Sequence, residues 1–172
     1  LNYIRTCLVR DKVSVIYADT DSCFVESQNN NLDSLISESK EIVNKINLSF
    51  DDYVKKYNLS EHFFSIEIDK IYESLLFVKS KKKYMGMMLF TGDKKIEPKL
   101  HLVGFDIKRR DTPVFAQKLL FNIYQMILKT KDKDEIVKTL KDSLKFIENE
   151  DKRNLGITMR VGKNTKDYLV NA

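Results

Sequence analysis

The residues best suited to chemistry lie between Tyr17 and Ser22. In Tyr17-Ala18-Asp19-Thr20-Asp21-Ser22 two carboxylates stand one residue apart, between two β-prone runs. At a turn they project into the same space, both ionised at neutral pH, and a bound divalent cation relieves their repulsion. Hard oxygen ligands select Mg²⁺ or Mn²⁺, and Mg²⁺ commonly takes one or two carboxylates together with substrate phosphates. In two-metal phosphoryl transfer one cation activates the attacking oxygen and the other stabilises the leaving group. The plainer reading is a polar turn in which Asp and Ser bond their own backbone. That reading accounts for Asp19, Asp21 and Ser22, but not for the β-run carrying Tyr17.

Downstream, Lys79-Ser80-Lys81-Lys82-Lys83-Tyr84 packs lysines and a tyrosine together, followed by Gly86. Such a run is commonly a solvated strand end. Clustered ammonium groups beside an aromatic also suit a phosphate backbone, because each contact releases condensed counterions. Arg109 and Arg110 stand together in Gly104-Phe105-Asp106-Ile107-Lys108-Arg109-Arg110-Asp111, and an arginine fork matches phosphate oxygens. Cys7 and Cys23 lack metal or disulfide spacing, so two reduced thiols packed as small hydrophobes are expected. His62 and His101 show no partnering motif, which leaves no ground for a Ser-His-Asp or Cys-His site.

The elements that must position these residues are set by apolar spacing. The first regular element is expected at Val13, where Val13, Val15 and Tyr17 alternate; Cys23–Glu26 completes a hairpin with an acidic tip. The asparagines at 29–31 close it and can cap the next element. Leu35, Ile36, Val43, Ile46, Phe50, Tyr53, Val54 and Tyr57 describe one face of a long helix from Leu32 to about Asn58. Phe64, Ile66 and Ile68 alternate again, and further β-prone segments lie at 75–78, 84–90 and 100–105, the last two joined by a turn at Gly92-Asp93. Thr112 is the expected N-cap of a helix with Pro113 at its first position, running to about Lys129. A second helix is expected over about 134–148, and Leu155–Tyr168 is expected to return to extended structure.

Composition bounds the rest. The 172 residues include 10 Phe and 8 Tyr, enough for a packed core, and only 5 Gly and 2 Pro, which excludes collagen-like and low-complexity chains. The 30 Lys+Arg against 25 Asp+Glu leave a net charge of +5, which favours an anionic partner. No apolar run approaches the length of a membrane helix and no signal peptide is evident, so an intracellular protein with no membrane partner is expected. The chain opens at Leu1 without methionine and is expected to be a piece of something longer.

These segments, in this order, resemble family B DNA polymerases. Tyr17-Ala18-Asp19-Thr20-Asp21-Ser22 matches the family's YxDTDS motif, the palm hairpin that bears catalytic aspartates. The resemblance implies that Asp21 is the surest metal ligand and Asp19 the neighbouring carboxylate. Lys81-Lys82-Lys83-Tyr84 is similar to the KKxY motif that holds the primer strand near its 3′ end, with Lys81, Lys82 and Tyr84 at motif positions and Lys83 at the variable one. Ile66-Glu67-Ile68-Asp69-Lys70 sits where the family carries an acidic strand near the metal site, so Glu67 or Asp69 is implied as an accessory carboxylate. Gly104–Asp111 resembles the KG-x-E-x-x-RRD segment joining palm to thumb, with Val103 in place of lysine and Asp106 in place of glutamate. There Arg109 and Arg110 are implied to meet DNA, and Asp111 either to hold an arginine or to cap a helix. Leu155–Arg160, with Lys163 and Tyr168, resembles a thumb segment that contacts duplex DNA. Glu97-Pro98-Lys99-Leu100 is similar to polymerases of large phages and other DNA viruses.

The fold implied is α+β: a palm-type antiparallel sheet with a packed long helix over 1–110, then a mainly helical, incomplete thumb over 111–172. The activity implied is addition of deoxynucleotides to a primer 3′ end, with two Mg²⁺ ions (Mn²⁺ as a substitute). The partners implied are primer-template DNA, deoxynucleoside triphosphates and, in the complete enzyme, a processivity factor. The family's DxxSLYPS and KxxxNSxYG motifs and its exonuclease are not found in these residues, so the chain alone is expected to be inactive. A metal-dependent nuclease and a non-catalytic DNA-binding module that keeps the fold stand as alternatives.

Overall fold

Apolar residues at 3, 4, 7 and 8 recur at helical spacing, and the chain opens with a helix that the sequence reading did not expect, α1 (Asn2–Arg10). The β-branched and aromatic run after it pairs as an antiparallel hairpin, β1 (Ser14–Asp19) with β2 (Ser22–Glu26). The register opposes Asp19 to Ser22, so Thr20 and Asp21 form a two-residue loop, and an irregularity between Val15 and Tyr17 marks a bulge at Ile16. Bulges bend a strand and re-aim its side chains, here just ahead of the acidic turn. The computed structural model describes residues 1–130, 132–157 and 162.

The long helix is present as α2 (Leu32–Lys55), with Asn31 as its N-cap accepting from the Ser34 amide at 3.0 Å. The chain divides into two compact units, residues 1–71 with 90–95, and residues 72–89 with 96 onward. In the first, Cys7 and Leu8 of α1 and Ile46 and Phe50 of α2 form a buried cluster, against which Val13, Val15, Cys23 and Ile66 pack. Both cysteines are free and lie among these hydrophobes, as expected, and burial pushes the Cys23 thiol up from its ordinary value. Tyr3 fastens α1 to α2 by a 3.0 Å hydrogen bond to the Ser49 carbonyl and by stacking on Tyr53 at 4.1 Å.

The alternation at Phe64, Ile66 and Ile68 produces extended backbone but no strand. The reason is local: the Asn47 amide of α2 donates to the Ile66 carbonyl at 3.0 Å and accepts from the Ile66 N–H at 2.9 Å. A side chain takes the bonds that a sheet ladder would use. His62 is anchored alongside. Its Nδ1 accepts from the Phe64 amide at 3.1 Å, which leaves Nε2 protonated and donating to Asp51 at 3.1 Å.

The second sheet orders β3 (Lys70–Phe77), β4 (Tyr84–Thr91) and β5 (Lys94–Val103) as β3-β4-β5, with β4 central. Gly92 and Asp93 turn β4 into β5 with φ of +57° and +61°, the left-handed backbone of a tight hairpin. Pro98 is accommodated because β5 is an edge strand. In the second unit Met85, Met87, Leu100 and Leu102 of the sheet pack with Ile107 and with Leu128 of α3 (Val114–Lys129). Then come α4 (Lys133–Lys145), capped by Asp132, and the short α5 (Lys152–Leu155). The architecture is mixed α+β with antiparallel sheets, as expected. Thr112 is not the N-cap: Pro113 takes that position, and the Thr112 hydroxyl donates to the Asp106 carbonyl at 2.8 Å.

Candidate catalytic and nucleic-acid site

The acidic turn is built by short side chains bonding within it. The Thr20 hydroxyl donates to Asp19 Oδ1 at 3.1 Å and the Ser22 hydroxyl donates to the Asp19 carbonyl at 3.2 Å. Thr20 has φ +53°, a left-handed conformation that costs a β-branched residue about 1 kcal/mol or more. A glycine or asparagine would relieve it, so the strain is carried at the one residue separating the two carboxylates. Below the tip, Tyr17 and Phe24 are register partners whose rings meet edge-on at 5.8 Å, an aromatic pair that fixes the strands. Asp19 is half-buried and Asp21 exposed. Their hard carboxylate oxygens are donors of the kind that Mg²⁺ or Mn²⁺ takes. Among the described residues no group of three or more acidic, His or Cys side chains is gathered to hold a metal ion.

Glu67 and Asp69 are both exposed on the extended segment that Asn47 pins at Ile66. Asp69 forms an ion pair with Lys70 at 2.5 Å.

The lysines occupy the loop between β3 and β4, closed by the Val78 amide donating to the Lys83 carbonyl at 3.1 Å. They are not equivalent. Lys81 and Lys82 are exposed, whereas Lys83 is half-buried with its Nζ 5.1 Å above the Phe105 ring. Phe105 in turn packs on Tyr124 at 5.0 Å. Gly104, with φ +74°, lies so close that a Cβ would sit 2.6 Å from the Lys82 carbonyl oxygen. The KKxY-like loop and the start of the GFDIKRRD segment are thus one packed structure.

Along that segment Arg109 is held in a two-pronged ion pair with Asp111, Nε to Oδ1 at 3.0 Å and Nη2 to Oδ2 at 2.9 Å. Of the two roles expected for Asp111, it takes the first. Hydrogen bonding from Arg109 holds the Asp111 carboxyl below the usual carboxylate range, and Asp111 pushes the Arg109 guanidinium up. Arg110 is exposed. Gln117 Nε2 donates back from α3 to the Thr112 carbonyl at 2.8 Å, fixing the entry to the helix. Arg160, Lys163 and Tyr168 lie outside the described residues.

Sequence reasoning gave no role to Phe105, Tyr72 or His101: Lys83 rests on Phe105, His101 meets Tyr84 edge-on, and Tyr72 bonds and stacks with His101. One signal was present: Gly86, a glycine inside a β-prone run, marks a close approach by another group.

Comparison with known proteins decides the family. The sequence model of DNA polymerase family B matches residues 3–171. The chain belongs to DNA polymerase family B. It is similar to the DNA polymerase alpha catalytic subunit of Xenopus laevis, 34% identical over 145 residues, covering 84% of this chain and 9% of that protein. DNA polymerase 2 of Aeropyrum pernix is 30% identical over 125 residues, 73% of this chain and 12% of that protein. The DNA polymerase delta catalytic subunit of Plasmodium falciparum is 27% identical over 152 residues, 87% of this chain and 13% of that protein. The chain spans about a tenth of the length of these family B relatives.

Proposed function

We propose that this chain supplies the catalytic hairpin and the primer-holding loop of a DNA-directed DNA polymerase that works in DNA replication. The observation that carries the reading is the two-carboxylate hairpin loop, Asp19 and Asp21 on paired strands, in a chain matched to the family over residues 3–171. On this reading residues 1–110 belong to the palm and 111–172 to the thumb. Asp21 and Asp19 hold the divalent cations, Mg²⁺ or Mn²⁺, with Glu67 or Asp69 as an accessory carboxylate. Two such ions, held there, would supply activation of the primer 3′-hydroxyl for attack on the α-phosphate and charge stabilisation for the departing pyrophosphate. Lys81, Lys82 and Tyr84 hold the primer strand; Arg109, fixed by Asp111, and exposed Arg110 meet the backbone as duplex leaves the palm. Arg160, Lys163 and Tyr168 are assigned to the duplex in the thumb. The partners are primer-template DNA, deoxynucleoside triphosphates and, for the parent protein, a processivity factor, all inside the cell. The 172 residues by themselves bind DNA and do not extend it.

Primer extension by the full-length parent carrying Asp21→Asn tests the reading. The expected result is a loss of about a hundredfold or more in extension rate, with primer-template binding retained. Extension at the wild-type rate overturns the ligand assignment. Metal-dependent degradation of DNA by a parent that never extends a primer returns the protein to the nuclease alternative.

A further inference from the structure

Gly86 lies inside β4, two residues beyond Tyr84 and therefore on the same strand face. A Cβ at Gly86 would meet Tyr72 Cδ1 at 2.7 Å, so the Tyr72 ring, coming from β3, occupies the space a side chain would fill. Across that gap the Tyr72 hydroxyl and His101 Nδ1 of β5 share a 2.8 Å hydrogen bond, with the two rings stacked at 5.9 Å and 24°. The His101 ring then meets Tyr84 edge-on, at 6.2 Å and 63°. Phe77, the last residue of β3, flanks Tyr84 at 5.7 Å. A side-chain bridge from β3 to β5 over the central strand therefore ends on the tyrosine that closes the lysine loop.

We propose that Tyr72 and His101 are positioning residues for Tyr84, setting its ring in the orientation that receives the primer strand. The inference rests on the reading of Tyr84 as a primer contact. A tyrosine at the end of a six-residue loop (78–83) would otherwise lose rotamer freedom on binding, and holding it beforehand removes that cost. The bridge is suited to the task. Its hydrogen bond is partly buried and joins residues 29 apart in sequence, and a Cβ at Gly86 would press on the Tyr72 ring as well as on Leu75 Cδ1 and the Ser74 carbonyl, each of these two at 2.8 Å.

The test measures primer-template affinity, its salt dependence and the extension rate at saturating DNA, in the full-length parent, for His101→Ala, Tyr72→Phe, His101→Gln and Tyr84→Ala. Loss of the bridge in His101→Ala is expected to raise the Kd about three- to tenfold. Tyr72→Phe, which removes one oxygen and keeps the ring over Gly86, is expected to move it the same way by less. His101→Gln, which keeps a polar group facing Tyr72, is expected to recover part of the affinity. The extension rate at saturation and the salt slope stay as in the wild type, because no phosphate contact is removed. Wild-type Kd values for both His101→Ala and Tyr72→Phe, with Tyr84→Ala weakened, overturn the proposal while leaving Tyr84 a DNA contact. A reduced salt slope in His101→Ala also overturns it, since His101 would then touch phosphate itself. If Tyr84→Ala binds like the wild type, the primer-contact reading fails and the bridge has nothing to position.

Discussion

At the scale of single residues, two glycines with positive φ make a controlled comparison. Gly92 has φ +57° with nothing within 4 Å of a built Cβ, whereas Gly104 has φ +74° with the Lys82 carbonyl 2.6 Å away. Alanine at Gly92 pays only for its backbone conformation, about 1 kcal/mol. Alanine at Gly104 adds a clash with main chain that cannot swing aside, so the loop must move. Amide hydrogen exchange at Val78, whose N–H closes the lysine loop on Lys83, is expected to accelerate clearly in Gly104→Ala and to stay near wild type in Gly92→Ala. Equal protection in the two variants contradicts the packing of Gly104 on the loop. The Arg109–Asp111 pair gives a pH prediction. Its carboxyl is held below the usual range in the folded chain, so whatever the pair contributes is present above the unfolded carboxylate value. It is lost as the pH falls through the lowered one. A carboxyl-carbon NMR titration should show Asp111 titrating below an ordinary exposed aspartate, and Arg109→Ala should return it to the ordinary range.

At the scale of elements, Asn47 does for the 62–69 segment what a neighbouring strand would have done. Removing it in Asn47→Ala leaves both the N–H and the C=O of Ile66 without that partner, at an expected cost of about 1–3 kcal/mol. The Ile66 amide should then lose exchange protection, while α2 around Ile46 and Phe50 keeps its own. Unchanged protection at Ile66 would show that the apolar contacts alone hold the segment. The same residue explains where the sequence was legible and where it was not. Period and caps made α2 readable, since Ile46 and Phe50 are buried on one face and Asn31 caps the start. The hairpin was readable from alternation, and the strands at 84–91 and 94–103 from β-prone runs at 84–90 and 100–105 and the Gly92-Asp93 turn, although β5 begins earlier than its apolar part. The alternation at Phe64, Ile66 and Ile68 signals extended backbone, but only tertiary structure decides whether a strand or an asparagine pairs with it. Thr112 has the composition of a cap, yet Pro113 takes the cap position and the Thr112 hydroxyl donates to the Asp106 carbonyl. For the candidate site, the motif residues were legible because their chemistry is local in sequence. The Tyr72–His101 bridge was not, because it joins strands through a side-chain gap.

At the scale of the whole molecule, the net charge of +5 is a poor guide to DNA binding, since positive groups have unequal tasks. Arg109 is engaged by Asp111, and Lys83 rests on Phe105. Lys81, Lys82 and Arg110 are exposed. Affinity should therefore depend on which lysine is removed, although each removal changes the net charge equally. Each phosphate contact contributes about −0.9 to the slope of log affinity against log salt on duplex DNA. Lys82→Ala in the parent polymerase is expected to weaken primer-template binding across sequences and to make the slope shallower by about that amount. Lys83→Ala is expected to leave the slope near wild type, and to act instead through loosening of the loop on Phe105. Filter binding or fluorescence anisotropy over a range of salt concentrations separates the two. Identical slope changes for Lys82→Ala and Lys83→Ala would mean that DNA responds to the lysine cluster as undifferentiated charge. A distinct slope for each would mean that the fold, through Gly104 and Phe105, sorts the cluster into lysines that build the loop and lysines that meet the backbone.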